Sequence, residues 1–380
     1  MSPPGRPKGE SLSAGHEGSP MSTPMTLWRR VQAHALFWPL TTLALLLAIN
    51  AVFNPGFMHL QWRDGHLYGN LIDILNRASP LILVSLGMTM VIATRGIDIS
   101  VGAVVAISAA IAALMIGGKL IINDGVPVYE SRFPMPLAIA AALAVALACG
   151  LWNGLLVARI GMQPIIATLI LMVAGRGVAQ LITGGQIITV YYKPYFVLGN
   201  GYLLGLPVAL YIAAAVFAVL ALAVHRTALG LFVQAIGINP VAARLAGVRE
   251  RAITVCVYGF CGFTAGVAGL LVSSNVKSAD GNNAGQLMEL DAILAVTLGG
   301  TLLSGGRFSL AGSVVGALII QTLTSTIYSI GVPPEINLVV KAAVVFVVML
   351  MQSAEFRRTV RGWVFRPAVA ASTGSAAGSV

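Results

Sequence analysis

The chain has 380 residues, 57% of them hydrophobic and only 9% charged, with a mean hydropathy of +0.87. Soluble domains carry roughly a quarter charged residues, so this chain lacks the polar surface to face water and its solvent is a bilayer. The formal net charge of +10 would suit a nucleic-acid binder, but the basic residues are sorted by membrane side, and no nucleic acid is expected.

Residues 1–34 are rich in Pro, Gly and Ser and are predicted to form a disordered tail. The apolar run that follows Arg29 and Arg30 is long for a signal-peptide core and is followed by a poor cleavage site, so it is expected to stay as a first spanning helix. A span needs about 20 mostly apolar residues. On that criterion spans fall near 36–53, 72–94, 100–117, 135–158, 164–182, 205–224, 251–273, 289–304, 309–330 and 335–352. The expected fold is an all-α integral membrane protein of about ten transmembrane helices, with a membrane part at 35–353 and a tail at 354–380. Tight turns such as Gly161–Pro164 and Ser304–Arg307 imply that some helices are tilted or broken.

Orientation follows from the placement of Lys and Arg. With the N-terminus inside, Arg29, Arg30, Arg95, Arg159, Arg226, Arg244, Arg249, Arg251, Arg307, Arg357 and Arg358 are all cytoplasmic. The external loops keep Arg63, Lys119, Arg132, Lys193 and Lys277. Both termini and the 225–250 segment are therefore expected in the cytoplasm. Ile82–Ile107 also aligns without gaps on Leu294–Ile319, matching Gly87, Thr89 and Arg95 with Gly299, Thr301 and Arg307. Such repeats mark many transporters.

Nothing proposes catalysis. There is no phosphate-binding Gly-rich loop ending in Lys-Ser or Lys-Thr, and no His-Glu-x-x-His or Gly-x-Ser-x-Gly. Cys149, Cys256 and Cys261 lie in apolar runs, and the histidines have no ligand spacing, so no metal and no cofactor is expected. Polar groups inside spans are more informative, because each is costly there. The candidates are Asp73, Asn76, Arg77, Asn153, Arg176, Gln180, Asn282, Asn283, Glu289 and Asp291, together with Lys341. Asp73 and Arg77 are spaced to pair on one helix face, and by depth Arg176 would meet Asp291 or Asp73. Glu289 and Asp291 are placed in the external half. These groups read either as polar glue between helices or as a hydrated vestibule for a neutral polyol. Gly259, Gly262, Gly266 and Gly269 share one side of their helix and allow close packing.

Between two apolar runs lies Thr227–Val248. Asn239 and Pro240 can start a short helix and Gly247 can stop it. Ala242, Ala243 and Ala246 leave room for another protein to approach. On residues alone this is an amphipathic loop or a docking helix. Its pattern of Gly237, Asn239, Ala242, Ala243, Arg244 and Gly247 resembles the coupling loop of bacterial sugar ABC-importer permeases. The stretches 76–103, 151–189 and 281–321 likewise resemble permeases of the ribose/galactofuranose type, and the likeness covers about residues 36–352. The resemblance implies a non-catalytic inner-membrane subunit for a monosaccharide. It also implies an ABC ATPase subunit below, a periplasmic sugar-binding protein above and a second permease, identical or paralogous. The alternatives are an ion-coupled sugar transporter, which would want a carboxylate relay at mid-membrane, and a glycosyl-lipid enzyme, which would want acidic loops. Arg63, Arg132, Lys193 and Lys277 are expected to meet acidic groups of the binding protein.

Overall fold

The computed structural model describes residues 36–352 except 64, 124–125 and 332–333. The expected tails 1–34 and 354–380 lie outside the described residues. The helices of six residues or more are α1 (Phe37–Phe53), α2 (Asn70–Ala93), α3 (Val101–Ile116), α4 (Met135–Leu155, extended by a π-helical turn Leu156–Ile160), α5 (Pro164–Thr183), α6 (Val208–Arg226), α7 (Leu229–Ile238), α8 (Pro240–Leu245), α9 (Glu250–Val276), α10 (Met288–Leu298), α11 (Leu310–Ser329) and α12 (Pro334–Gln352). Among the described residues, six helical stretches are long and apolar enough to cross a membrane: α2, α4 with its π turn, α5, α6, α9 and α11. The protein is mostly helical. The all-helical expectation missed short antiparallel ribbons, including Gln61–Arg63 with His66–Tyr68 and Ile188–Thr189 with Ser278–Ala279. These ribbons flank the N-terminus of α2 and the C-termini of α5 and α9, at the end of the bundle opposite α8.

Helices α2 and α3 form the interior. Every residue from Ala78 to Ala93 and from Val101 to Ala110 is buried, as expected for helices apolar on all sides. Helix α9 packs on α2, α3 and α4. A Cβ on Gly262 would lie 2.5 Å from the Ala146 carbonyl of α4, and one on Gly87 would lie 2.8 Å from Cys261 Cα. Without a hydrophobic drive between helices in lipid, close backbone approach of this kind supplies the attraction. Helices α4, α5 and α6 instead expose apolar faces, including Ile166, Ile170, Val173 and Leu222. Pro80 lies inside α2 and removes the N–H that would bond the Asn76 carbonyl.

Two expected features differ. The short helix expected after Asn239 is present as α8, but the segment before it, expected as loop, is a second helix, α7. The expected span 289–304 is cut short: α10 has 11 residues, about 16 Å of rise, which is half a bilayer core. Gly300, Gly305 and Gly306 hold positive φ, and the chain from Gly299 to Ser309 returns to start α11. The aligned repeat is therefore helix–linker–helix in both copies, but its first helix runs on to Ala93 where its second stops at Leu298.

Candidate functional site

Asn239 builds the start of α8. Its side chain accepts from the Val241 and Ala242 amides at 3.0 and 3.1 Å, and Pro240 occupies the first helical position, where its missing N–H costs nothing. Gly247, at φ +84°, ends the turn that follows. Arg244 then bonds Glu250 Oε2 through Nε and Nη2, at 3.0 and 2.5 Å, closing α8 back onto the start of α9. The small residues do not all face outward as expected. Ala243 is 5% exposed and packs within its own chain, whereas Ala242 and Ala246 are exposed. The free face is apolar: Ile238 and Val241 are 63% exposed and Leu245 is 85% exposed.

The base of this face is fixed to the interior. Gly237 is helical and buried and serves close approach. A Cβ there would overlap the Ala93 carbonyl and the Gly306 amide. The Gly306 N–H donates to the Ala93 carbonyl at 3.0 Å. Arg95 donates from Nε to the Gly237 carbonyl and from Nη2 to the Ile238 carbonyl, both at 2.6 Å. These are last-turn carbonyls of α7, which have no partner within their helix, and a cation suits that end of the helix dipole. Arg95 holds φ +64°, a left-handed conformation unfavourable for a residue with a Cβ. From sequence, Arg95 is visible only as a cytoplasmic cation and as the repeat mate of Arg307.

The polar residues of the spans do not form one vestibule. Asp73 and Arg77 are both exposed and make no ion pair, contrary to the expected pairing. They line a 440 Å³ cavity with Gln321, Thr324, Ser325 and Tyr328 of α11. Nearby, Asn76 donates to the Gly199 carbonyl at 3.1 Å.

Arg176 meets neither Asp291 nor Asp73. Its Nη1 donates to the carbonyls of Ala284 and Asn282, at 2.6 and 3.3 Å. Gln180 bonds Asn282 Oδ1 at 2.5 Å, and Asp280 accepts from the Asn282 amide and the Asn283 side chain. Partial burial raises the Asp280 pKa, but those hydrogen bonds and the Arg176 charge outweigh it and hold the carboxylate below its ordinary range. The segment 280–287 is thereby drawn into the bundle. A Cβ on Gly281 would lie 2.9 Å from Ala179, and one on Gly285 would lie 2.8 Å from Val105. Glu289, at the start of α10, is 4% exposed and its Oε2 lies against Gly102 in the first turn of α3.

Asp291 instead pairs with Lys341 at 2.6 Å. Asn153 lies elsewhere again, donating to Ser100 Oγ at 2.8 Å. Its neighbour Asp98, 1% exposed, accepts from the Ser100 amide and hydroxyl at 3.0 and 2.6 Å. Sequence reasoning missed Asp98. The signal was present as Asp-Ile-Ser directly before a helix, a pattern in which the carboxylate takes up free N–H groups. Among the described residues no His, Cys, Asp and Glu cluster could hold a metal.

A family model described as "Branched-chain amino acid transport system / permease component" matches residues 70–349. The galactofuranose transporter permease of Escherichia coli K12 is 47% identical over 330 residues, 86% of this chain and 93% of that protein. The fructose import permease of Bifidobacterium longum is 39% identical over 86% of this chain and 89% of its own length. The ribose import permease of Escherichia coli K12 is 35% identical over 83% of this chain and 92% of its own length. No solved structure matches the chain. These relatives give no support to an ion-coupled transporter or a glycosyl-lipid enzyme. With a matching family model over most of its length and several full-length relatives, the chain belongs to the multi-pass permease family of ABC-type sugar importers.

Proposed function

We propose that this permease carries a furanose-forming monosaccharide of the galactofuranose type inward across the bacterial inner membrane, driven by ATP hydrolysis on a separate subunit. Ten helices, α1–α6 and α9–α12, are taken as the membrane-crossing or membrane-embedded set, with both tails and α7–α8 in the cytoplasm and the ribbons outside. The chain itself breaks no bond. It forms the pathway with a second permease, receives sugar from a periplasmic binding protein and meets an ABC ATPase through α8. The domain limits 1–34, 35–353 and 354–380 belong to this reading. So do the pathway residues Asp73, Asn76, Arg77, Asn153, Arg176, Gln180, Asn282, Asn283, Glu289 and Asp291. They fall into separate stations along a path rather than one pocket.

The observation that carries the reading is the combination at α8. An apolar face of Ile238, Val241 and Leu245 stands free, while Arg95, Gly237 and Gly306 fasten its base to α2. A loop that merely connected two spans would have no need of a rigid mount. Leu245→Glu puts a charge where a packed contact would bury it. The expected result is loss of ATPase co-purification and of sugar uptake, with normal amounts of permease in the membrane. Retention of both would leave α8 without a docking role.

A further inference from the structure

The ends of α2 and α11 away from α8 enclose a cavity of 440 Å³. From α2 it is lined by Asp73 and Arg77, one turn apart, and from α11 by Gln321, Thr324, Ser325 and Tyr328. Neither the Asp73 nor the Arg77 side chain hydrogen-bonds or pairs with a described residue. Unpaired charges against lipid are costly, which argues for a water-filled space here. A second, separate chamber of 150 Å³ is lined by Asn76, Arg77 and Pro80 with Asn275 of α9. Arg77 borders both. In the inner chamber Asn76 Oδ1 is buried without a partner, and Pro80 leaves the Asn76 carbonyl without its helical donor.

We propose that these two chambers are a transient monosaccharide site of the permease, with Arg77 as the residue a sugar passes between them. This rests on the importer reading above. A sugar's adjacent hydroxyls donate to the Asp73 carboxylate and accept from the Arg77 guanidinium, whose planar fork suits paired oxygens. Gln321, Thr324 and Ser325 offer neutral partners for the remaining hydroxyls, and the Tyr328 ring offers an apolar face to the sugar's C–H groups. One carboxylate and one guanidinium cancel, so the cavity favours neither anions nor cations. A branched-chain amino acid would use the two charges but would leave its side chain against amide and hydroxyl groups. In the inner chamber a sugar hydroxyl is the donor that the two Asn76 oxygens lack.

The test uses the intact complex with its ATPase in sealed vesicles. Ser325→Cys is treated from outside with a membrane-impermeant sulfonated methanethiosulfonate, beside the unsubstituted complex, which sets the background. Thr324→Cys serves if Ser325→Cys assembles poorly. Labelling is expected, slowed at least fivefold by one or more of D-ribose, D-fructose and D-galactose and unaffected by L-leucine. Adding Arg77→Gln is expected to abolish that protection while ATPase co-purification stays normal. Absence of labelling, labelling that no sugar slows, or protection by L-leucine overturns the site. If the unsubstituted complex still imports sugar in that case, only this site fails. If it also lacks uptake and ATPase, the importer reading fails with it.

Discussion

Replacing Arg95 by Ala tests whether α8 is mechanically fastened to the interior. The substitution removes two hydrogen bonds of 2.6 Å from a guanidinium to the Gly237 and Ile238 carbonyls. A hydrogen bond from a charged donor contributes about 1.5–3 kcal/mol when buried. The Ile238 carbonyl is exposed, so water replaces that bond and its loss costs little. The Gly237 carbonyl is only partly accessible, so the loss there is about 2 kcal/mol, near the middle of that range. At 1.4 kcal/mol per factor of ten, the fastened arrangement becomes about 30-fold less favoured. Arg95→Gly would blur the result, since it also relieves the φ +64° strain, worth about 1–2 kcal/mol. Because the exposed face of α8 is untouched, ATPase recovery is expected to stay within twofold. Uptake by reconstituted complexes should fall, so that ATP consumed per sugar imported rises at least tenfold. Arg95→Lys should lie between, because a compact ammonium satisfies one carbonyl rather than two. An unchanged ATP-to-sugar ratio in Arg95→Ala refutes the fastening. A fall in uptake that only parallels lost ATPase recovery reduces Arg95 to keeping α8 in shape.

Gly237→Val places side-chain atoms on the Ala93 carbonyl and Gly306 amide and is expected to lose uptake while the spans still insert, read by membrane yield against transport. Ala243→Glu buries an unpaired carboxylate in the permease itself, so the purified subunit should melt lower on its own, unlike Leu245→Glu; equal melting of the two would refute the inward placement of Ala243. Lys341→Met strands the Asp291 carboxylate, and because lone buried charges cost more than absent pairs, adding Asp291→Leu should restore the assembled amount, whereas Asp291→Ala should not rescue Arg176→Ala. Asp98→Ala leaves the Ser100 amide and hydroxyl without their acceptor in a buried site, at about 1–3 kcal/mol, and should lower the thermal midpoint in detergent more than Asp98→Asn does.

Hydropathy located a helix in each expected run, because apolar length is what a bilayer demands of sequence. It failed at 289–304. There the residues remain apolar, but Gly299, Gly300, Gly305 and Gly306 favour an open backbone, and a window average does not register backbone freedom. The cap at Asn239 was readable because a cap is local. The inward turn of Ala243 was not, since alanines on a short helix do not reveal which face the rest of the chain covers. Charge pairing was the least legible. Asp73 and Arg77 have the spacing of a helical pair, yet spacing says nothing of what faces them. Arg176 found backbone carbonyls of 282–284, acceptors that every residue carries and no sequence pattern marks.

Helix α2 connects the two places where function is proposed. Its 24 residues rise about 36 Å, from Asp73 and Arg77 at the sugar cavity to Arg95 just beyond its other end. From Ala78 to Ala93 it is buried on every side, and close-packed interiors move as bodies rather than deforming. A displacement of α7 and α8 that pulls on Arg95 must therefore act on this whole segment. The ladder is interrupted at one point, Pro80, where the Asn76 carbonyl has lost its donor. That break lies next to Arg77, at the boundary between the two chambers. The part of α2 gripped from its α8 end thus stops where the cavity begins, so motion of the buried segment changes the angle at which Arg77 stands between the chambers.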